Sequence, residues 1–350
     1  MIDTYSFSRV SRNQYDKFGA ITEFLAGYGL GVDADVERFV VAKSQDQIIA
    51  CGGLAGNILK SIAIDPVLHG SGFSLRLMTE LTAMAYEMDR FELFLFTKPE
   101  NIKLFRNSGF YPIAYADDKL VLMENSQTNL SNFINELKKD KKTGKKIGSI
   151  VMNANPFTLG HQYLVEVAAA QCDWLHVFIV SEEGCGFSYT DRFNMIVMGT
   201  ENITNITLHK SSNYIISKAT FPTYFIKDKC LIDYCHTAID LNLFRHHIAP
   251  ALGITHRFVG SEPECMVTNY YNQQMKYRLT VEELTSPVVN VVEVARKCTS
   301  GQPISASTVR GLLKKGEWEL LSYFLPITSI DYLHQHPTWF AWRNEEIAAA

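Results

Sequence analysis

Short β-type runs alternate with helical patterns along most of the chain, and this alternation constrains the fold more than any other feature. Strands are predicted at residues 39–43, 47–52, 58–64 and 91–97, with a helix over 71–89. Later strands are predicted at 146–153, 174–181, 203–209, 255–260 and 288–294, with helices at 160–171 and 190–200 and a helical tail from Gly311. Alternation of this kind predicts an α/β fold built on parallel, doubly wound sheets.

A shift in composition over residues 126–146 divides this pattern into two parts. Six lysines fall within the nine residues 138–146. Just before them, apolar residues at i, i+3, i+4 and i+7 predict a short amphipathic helix: Leu130, Phe133, Ile134 and Leu137. The lysines are either an electrostatic landing surface or a solvated connector, which is the commoner role of such charge blocks. A chain of 350 residues fits two domains. We predict domains over 1–125 and 147–350, joined by a helical, lysine-rich linker over 126–146.

Composition and charge narrow the range of partners. The formal charge is −4, from 33 basic and 37 acidic residues, so the chain as a whole has no basic field to hold nucleic acid. The longest apolar runs are far shorter than the roughly 20 residues that span a bilayer, and the first residues do not read as a secretory signal. Seven cysteines without a C-x-x-C pair fit neither a disulfide framework nor a zinc ribbon. These features predict a cytoplasmic protein.

The segment that follows the strand at 146–153 has the features of an anion site. It reads N-P-F-T-L-G-H from Asn155 to His161 and opens a helix. Unpaired N–H groups and the helix dipole favour a phosphate there, and Gly160 lacks the Cβ that would keep the phosphate from the backbone. His161, on the first turn, could stabilise charge that develops on an α-phosphate. The alternative is a capping histidine packed against the sheet.

A second helix start carries complementary chemistry. The sequence P-I-S-A-S-T-V-R-G-L-L begins at Pro303 and places three hydroxyl groups just before Arg310. Hydroxyls, N–H groups and a bidentate guanidinium suit the β- and γ-phosphates of a nucleotide. The alternative is ordinary N-capping by Ser305 or Ser307.

Together, T-L-G-H and I-S-A-S-T-V-R resemble the HxGH and ISSTxxR motifs of the nucleotidyltransferase superfamily. Thr158 stands where many members have a first histidine, and the loop 258–263 is similar to the family's adenosine-side loop. The resemblance implies catalytic roles for Thr158, His161 and Arg310. It also implies an ATP site formed by Asn155, Pro156, Phe157, Gly160, His161, Gly260, Ser261, Ser305, Ser307, Thr308 and Arg310. Mg²⁺ is expected to arrive with the triphosphate, and no residue is predicted to bind a metal.

The resemblance also implies a basic residue that assists the transferring phosphate. The candidates lie near predicted strand ends or helix starts, and the sequence does not decide among them: Arg192, Lys210 and Lys218. A further cluster could suggest zinc, but its spacing matches no common structural site, so buried cysteines and surface histidines explain it better: Cys230, Cys235, His236, His246 and His247.

The first domain carries a different glycine loop. The strand at 58–64 leads into D-P-V-L-H-G-S-G-F and a long helix, and the element N-I-K-L-F-R-N-S-G-F begins at Asn101. This order resembles the GNAT acetyltransferase family. The resemblance implies that His69, Gly70 and Gly72 hold the pyrophosphate of a coenzyme-A-like arm. Phe105 replaces a tyrosine that protonates the departing thiolate in many members, so the domain is predicted to hold the arm for chemistry done elsewhere. The alternative is a nonspecific α/β domain with a glycine turn.

The combination of both domains resembles the citrate lyase ligase family over nearly the whole chain. The resemblance implies a ligase that converts acetate and ATP into acetyl-AMP and pyrophosphate, then acetylates the thiol of the phosphoribosyl-dephospho-CoA prosthetic group on the citrate lyase acyl-carrier subunit. Two alternatives remain open. One is an adenylyltransferase that moves AMP onto a pantetheine- or mononucleotide-type phosphate. The other is a coenzyme-A sensor that regulates an inactive nucleotide-binding domain.

Overall fold

The computed structural model describes residues 5–180, 186–215, 221, 223–226, 228–262, 266–281 and 285–336. These residues divide into two compact units. The first unit comprises the described residues within Met1–Phe133 and Thr220–Asn242, and the second those within Ile134–Ala219 and Leu243–Ala350. The sequence prediction placed all of 147–350 in one domain, so the assignment of Thr220–Asn242 to the first unit departs from it.

The described part of the first unit is built from a seven-stranded sheet with helices. Its strands are β1 (Tyr5–Ser11), β2 (Arg38–Ser44), β3 (Gln47–Ala55), β4 (Ile58–Ile64), β5 (Phe94–Thr97), β6 (Tyr111–Ala116) and β7 (Leu120–Glu124). Its helices are α1 (Tyr15–Gly27), α2 (Phe73–Tyr86) and α3 (Ile102–Arg106). The predicted linker helix is α4 (Asn129–Leu137), and the division between the units falls inside it.

The sheet of the first unit is mixed, with the order β1-β2-β3-β4-β5-β7-β6. Only β4 and β5 pair in parallel; the other neighbours are antiparallel. The predicted α/β class holds for this unit, although its sheet is mixed and not parallel throughout. The reason lies in the connections: two residues, Gln45 and Asp46, join β2 to β3, and their φ angles are +47° and +66°. A two-residue turn can join only antiparallel strands.

The described residues within 221–242 belong to the first unit and contact it through polar and aromatic groups. The Asp33 carboxylate accepts hydrogen bonds from the backbone N–H and, at 2.6 Å, from the hydroxyl of Thr223. The N–H of Gly31 donates to the carbonyl of Tyr224 at 2.7 Å. The ring of Phe221 lies edge-on to a ring on β5, that of Phe96, with centres 5.0 Å apart. Asp33 and Thr223 are 190 residues apart in the sequence. Local sequence patterns therefore could not predict that this segment belongs to the first unit.

The second unit contains the remaining described elements. Its strands are β8 (Ile147–Met152), β9 (Trp174–Ile179), β10 (Ile206–His209), β11 (His256–Gly260), β12 (Asn290–Val294), β13 (Cys298–Thr299) and β14 (Gln302–Pro303). Its helices are α5 (Leu159–Ala170), α6 (Tyr189–Gly199), α8 (Ala249–Leu252), α9 (Met266–Thr280), α10 (Ala306–Lys315) and α11 (Ile327–Gln335). α7 (Lys229–Leu243) lies almost wholly in the first unit. Ser188 caps α6 by accepting from the N–H of Asp191 at 3.2 Å.

The main sheet of the second unit is parallel, which confirms the predicted fold class. Its order is β10-β9-β8-β11-β12, and every paired neighbour is parallel. Strand order reverses between β8 and β11. In open α/β sheets, the crevice outside the carboxyl ends of the strands at such a reversal is where ligands bind.

Helical segments cover both faces of this sheet. On one face, α5, α6, α10 and α11 pack into a core with Ile150, Val177 and Phe258 of the strands. Successive side chains of a strand point to opposite faces. Arg257, the neighbour of Phe258, accordingly lies on the other face, where its guanidinium carbon is 4.2 Å from the ring centre of Phe244. No helix in the described parts of the chain is long and apolar enough to cross a membrane.

Two histidines on neighbouring strands form a buried pair in the second unit. Nδ1 of His176 on β9 lies 2.8 Å from Nε2 of His209 on β10. The ring of His209 also stacks on Phe178, with ring centres 4.5 Å apart. Burial holds the pKa of both imidazoles below the ordinary range, and Asp140, 3.8 Å from His209, opposes this shift only in part.

This pair is expected to make the protein less stable on acidification from pH 7 to pH 5. The unfolded imidazoles take up protons near pH 6.5 whereas the folded ones stay neutral, so the unfolded state binds more protons as the pH falls. A double variant with His176→Asn and His209→Gln should show a smaller fall in thermal unfolding midpoint between pH 7 and pH 5 than the parent chain. An equal fall in both proteins would contradict the expectation.

Candidate functional site

A cavity of about 430 Å³ opens at the carboxyl ends of β8, β11 and β12. It therefore lies at the reversal of strand order, where the fold itself leaves a crevice. The amino-terminal turns of α5 and α10 border it, so both predicted phosphate segments reach the same space. Eight of the residues predicted from sequence line this cavity: Asn155, Thr158, Gly160, His161, Gly260, Ser305, Ser307 and Arg310.

Thr158 and His161 fix each other at the start of α5. The buried Thr158 hydroxyl accepts from the backbone N–H of His161 at 3.4 Å and caps the helix. In return, Nδ1 of His161 accepts from the backbone N–H of Thr158 at 3.1 Å. Because a backbone N–H can only donate, Nδ1 is the acceptor nitrogen and the proton of the neutral ring sits on Nε2. The capping alternative is therefore observed, and the catalytic role of His161 stays a prediction.

The charge state of His161 follows from its surroundings. Burial, reinforced by the nearby Arg296 cation, lowers the pKa of His161 to about 4. The imidazole is therefore uncharged at neutral pH, and it offers a single N–H donor at Nε2. Such a ring can donate to a phosphate oxygen without itself carrying positive charge.

The second predicted segment begins α10. The Ser305 hydroxyl caps this helix by accepting from the N–H of Ser307 at 3.2 Å, and the two hydroxyl oxygens are 2.6 Å apart. Arg310, on the next turn, donates from Nη1 to the carbonyl of Asn155 at 2.5 Å. This hydrogen bond joins the two segments directly, although 155 residues separate them in sequence.

Gly160 lines the cavity without adding a side chain to it. A Cβ at this position would meet Thr158 Oγ1 at 3.5 Å and the backbone of Ile304 at 3.6 Å, which are ordinary contact distances. The protein's own packing therefore does not require glycine here. A glycine that packing does not need, at a helix start facing a cavity, is consistent with close approach of a ligand to the backbone.

Four predicted contact residues lie outside the cavity lining. Pro156 and Phe157 are buried, and the Phe157 ring packs so closely on Gly199 that a Cβ there would lie 2.4 Å from it. The backbone N–H of Ser261 donates to the carbonyl of Val294 at 2.9 Å. Thr308 is exposed on the outer side of α10. Pro263 of the predicted adenosine-side loop lies outside the described residues.

Two of the three candidate phosphate cations from the sequence, Arg192 and Lys210, do not line the cavity. Arg192 is fully buried. Its guanidinium donates to the carbonyls of Asn153, Val180 and Phe187 at 2.7, 2.9 and 3.3 Å, and to Oδ1 of Asn153 at 2.7 Å. Arg192 thus stabilises the loop after β8 through hydrogen bonds to Asn153. Lys210 is exposed and does not line the cavity, and Lys218 lies outside the described residues.

Glu262, within the predicted adenosine-side loop, also lines the cavity, and sequence reasoning missed two charged residues of the lining: Arg296 and Lys297. Arg296 forms an ion pair with Glu262, whose side chain is only 8% exposed. A signal was present, because Arg296 and Lys297 follow the predicted strand end at Val294, at the carboxyl edge where ligands bind. Within the part of the chain that the structure describes, no group of three or more His, Cys, Asp or Glu residues could hold a metal ion.

A second cavity, of about 490 Å³, lies in the first unit. His69 and Gly70 of the predicted loop line it, and so does Phe105 of α3. Gly72 lies outside the lining and caps α2; Gly70 and Gly72 both have φ of +78°. L-residues with a side chain rarely adopt this conformation, which explains the two glycines.

Comparison with known proteins gives a consistent assignment. The family model described as "Citrate lyase ligase C-terminal domain" matches residues 147–333. A citrate (pro-3S)-lyase ligase from Klebsiella pneumoniae is 51% identical over 316 residues, which cover 90% of this chain and 92% of that protein. Its counterpart from Haemophilus influenzae is 52% identical over 330 residues, covering 94% of this chain and 98% of that protein.

Solved structures match about a third of the chain. Escherichia coli ElaA is 11% identical, with a TM-score of 0.32, and covers 35% of this chain and 100% of its own. An acyl-CoA N-acyltransferase from Pseudomonas aeruginosa is 13% identical, with a TM-score of 0.31 and the same coverage. The identity and coverage of the two ligases, together with the family model over residues 147–333, show that this chain belongs to the citrate lyase ligase family.

Proposed function

We propose that this chain is an ATP-dependent ligase that activates citrate lyase. It converts acetate and ATP into acetyl-AMP and pyrophosphate, and then transfers the acetyl group to a thiol. That thiol belongs to the phosphoribosyl-dephospho-CoA prosthetic group on the citrate lyase acyl-carrier subunit. The membership of the family supports the target, and the geometry of the 430 Å³ cavity supports the chemistry.

The observation that carries the proposal is the meeting of two helix amino termini in one cavity. α5 and α10 both begin at its edge, and the hydrogen bond from Arg310 to Asn155 holds their starts together. Each helix start presents N–H groups and the positive end of a dipole. Two such ends with an arginine between them favour a chain of phosphates over a single neutral ligand.

The residues of this chain would then act as follows. Acetate oxygen attacks the α-phosphate, and the P–O bond to the departing pyrophosphate breaks as the new bond forms. The Nε2–H of His161 donates to the phosphate whose charge is developing, while Arg310 and Ser307 hold the pyrophosphate in line. Mg²⁺ would arrive with the triphosphate, whose oxygens are ligands that it prefers.

The second cavity would receive the prosthetic arm of the carrier. The backbone around Gly70 and Gly72 suits a pyrophosphate, because left-handed glycines let successive N–H groups face one anion. Phe105 lines this cavity but has no proton to give a thiolate. The first unit would thus hold the arm, and the activated acetyl group would come from the other cavity.

The proposal predicts exchange of labelled pyrophosphate into ATP only when acetate is present. Acetyl-AMP formation is reversible, so exchange reports the first step without any carrier protein. An adenylyltransferase that acts on a pantetheine- or mononucleotide-type phosphate would show no stimulation by acetate. Exchange that acetate does not stimulate, but such an acceptor does, would overturn the proposed function and support this alternative.

A second measurement tests the acetyl transfer. The full chain is incubated with ATP, labelled acetate and the carrier subunit that bears its prosthetic thiol. AMP and a labelled thioester that hydroxylamine cleaves are the expected products. Acetate-dependent exchange without any carrier labelling would leave the activation step in place and remove the assigned acceptor.

A further inference from the structure

Lys297 occupies a backbone position that is fixed relative to the start of α10. It follows the last residue of β12 by three positions, and its carbonyl accepts from the N–H of Ile304 at 3.0 Å. Between them the chain forms the hairpin β13–β14, whose turn residues Ser300 and Gly301 have φ of +49° and +80°. Both turn residues are left-handed, as a tight two-residue hairpin requires. Because Ile304 precedes the cap residue Ser305, the hairpin sets Lys297 beside the phosphate-binding end of α10.

The other charges that line the cavity already have protein partners. Arg296 is paired with the carboxylate of Glu262, and Arg310 donates to a backbone carbonyl. Lys297 is in ion-pair contact with none of the described carboxylates. Its ammonium lies 5.8 Å from the ring centre of Tyr163, a residue of α5 that also lines the cavity. An exposed lysine held this way keeps its charge available to a ligand.

The uncharged state of His161 increases the need for such a cation. A triphosphate brings several negative charges into the cavity, while His161 contributes a hydrogen bond but no charge. Arg310 alone cannot neutralise the whole phosphate chain. A flexible lysine with three N–H donors is well suited to phosphate oxygens whose positions change as the pyrophosphate departs.

We propose that Lys297 binds the phosphate chain of the nucleotide with its ammonium group. This inference rests on the proposed function, because it places a triphosphate in the 430 Å³ cavity. Of the basic residues considered, Arg192 is fully buried and Lys210 does not line the cavity, whereas Lys297 does. Arg296 has a different part: it holds Glu262 at the end of β11 and so positions the rim of the site.

Calorimetric titration of the full chain with ATP and with adenosine tests this assignment. Lys297→Met keeps much of the apolar stem and removes the charge. We expect the dissociation constant for ATP to rise about 10- to 100-fold, as loss of a hydrogen bond to a charged group implies. Adenosine has no phosphate, so its affinity should be unchanged. Lys297→Arg should retain most ATP affinity, and Lys315→Met, at the exposed far end of α10, should bind like the parent.

The outcomes separate this inference from the proposed function. Unchanged ATP affinity in Lys297→Met, with normal binding by the parent chain, overturns the role of Lys297 and leaves the ligase proposal intact. Equal losses for ATP and adenosine also overturn it, because they show an effect on the local fold rather than on phosphate. If the parent chain binds adenosine but gains no affinity from the triphosphate, both proposals fail.

Discussion

The His161→Ala variant should form acetyl-AMP about 10- to 1000-fold more slowly than the parent chain while still folding and binding ATP. Alanine removes the Nε2–H donor that we assign to the α-phosphate. It keeps the backbone N–H that Thr158 caps, so the start of α5 should persist. Acetate-dependent exchange of labelled pyrophosphate into ATP measures the rate, and thermal unfolding checks the fold. Undiminished exchange would remove the catalytic role of His161.

A conservative variant distinguishes loss of the hydrogen-bond donor of His161 from loss of its side-chain volume. In His161→Gln, the side-chain amide nitrogen can occupy a place near that of Nε2 and donate one hydrogen bond. We expect this variant to recover part of the rate lost in His161→Ala. Because the pKa of His161 is lowered to about 4, the parent rate should not decline between pH 8 and pH 6 through protonation of this ring. A decline that disappears in His161→Gln would contradict the assigned charge state.

The Arg192→Met variant should lose about 3 to 5 kcal/mol of unfolding free energy in the second unit. Arg192 is fully buried and donates four hydrogen bonds to the loops after β8 and β9. Methionine fills part of the volume but donates none of these hydrogen bonds to the three carbonyls and the Asn153 side chain. Each buried polar group left unpaired costs about 1 to 3 kcal/mol, and relaxation recovers part of the sum.

Urea unfolding followed by tryptophan fluorescence measures this loss. Trp174 and Trp318, the tryptophans among the described residues, both lie in the second unit, so a change in their emission reports on that unit. Lys210→Met removes an exposed cation near the same sheet edge and should stay within about 0.5 kcal/mol of the parent. A loss below about 1 kcal/mol in Arg192→Met would show that the loop does not depend on this guanidinium.

Local sequence patterns predicted the parallel strands of the second unit, but neither its hairpin β13–β14 nor the strand directions of the first unit. Buried parallel strands such as β8 and β9 are short apolar runs, and the caps of α5 and α6 follow directly from Thr158 and Ser188. In the first unit, two-residue turns decided the strand direction, and alternation alone carries no information about direction. The attachment of residues 221–242 depends on Asp33, nearly two hundred residues away.

The sequence alone predicts those residues of the candidate site that lie at the start of a helix. Gly160, His161, Ser305 and Arg310 all lie within the first turns of α5 and α10, and the structure brings them to one cavity. Burial could not be read from the motif, and Phe157 became a core residue because Gly199 leaves room for its ring. Lys297 was missed because a hairpin, rather than a helix start, places it there.

The path of the chain has a consequence for protein synthesis. Because the described part of Thr220–Asn242 belongs to the first unit, Asp33 lacks its Thr223 donors and Phe96 lacks its contact with Phe221 until this segment has left the ribosome. About ninety residues of the second unit are made in between. The amino-terminal half therefore completes its packing only after two thirds of the polypeptide has been translated, and a fragment ending at the lysine run would expose the surface that Phe221 and Thr223 normally cover.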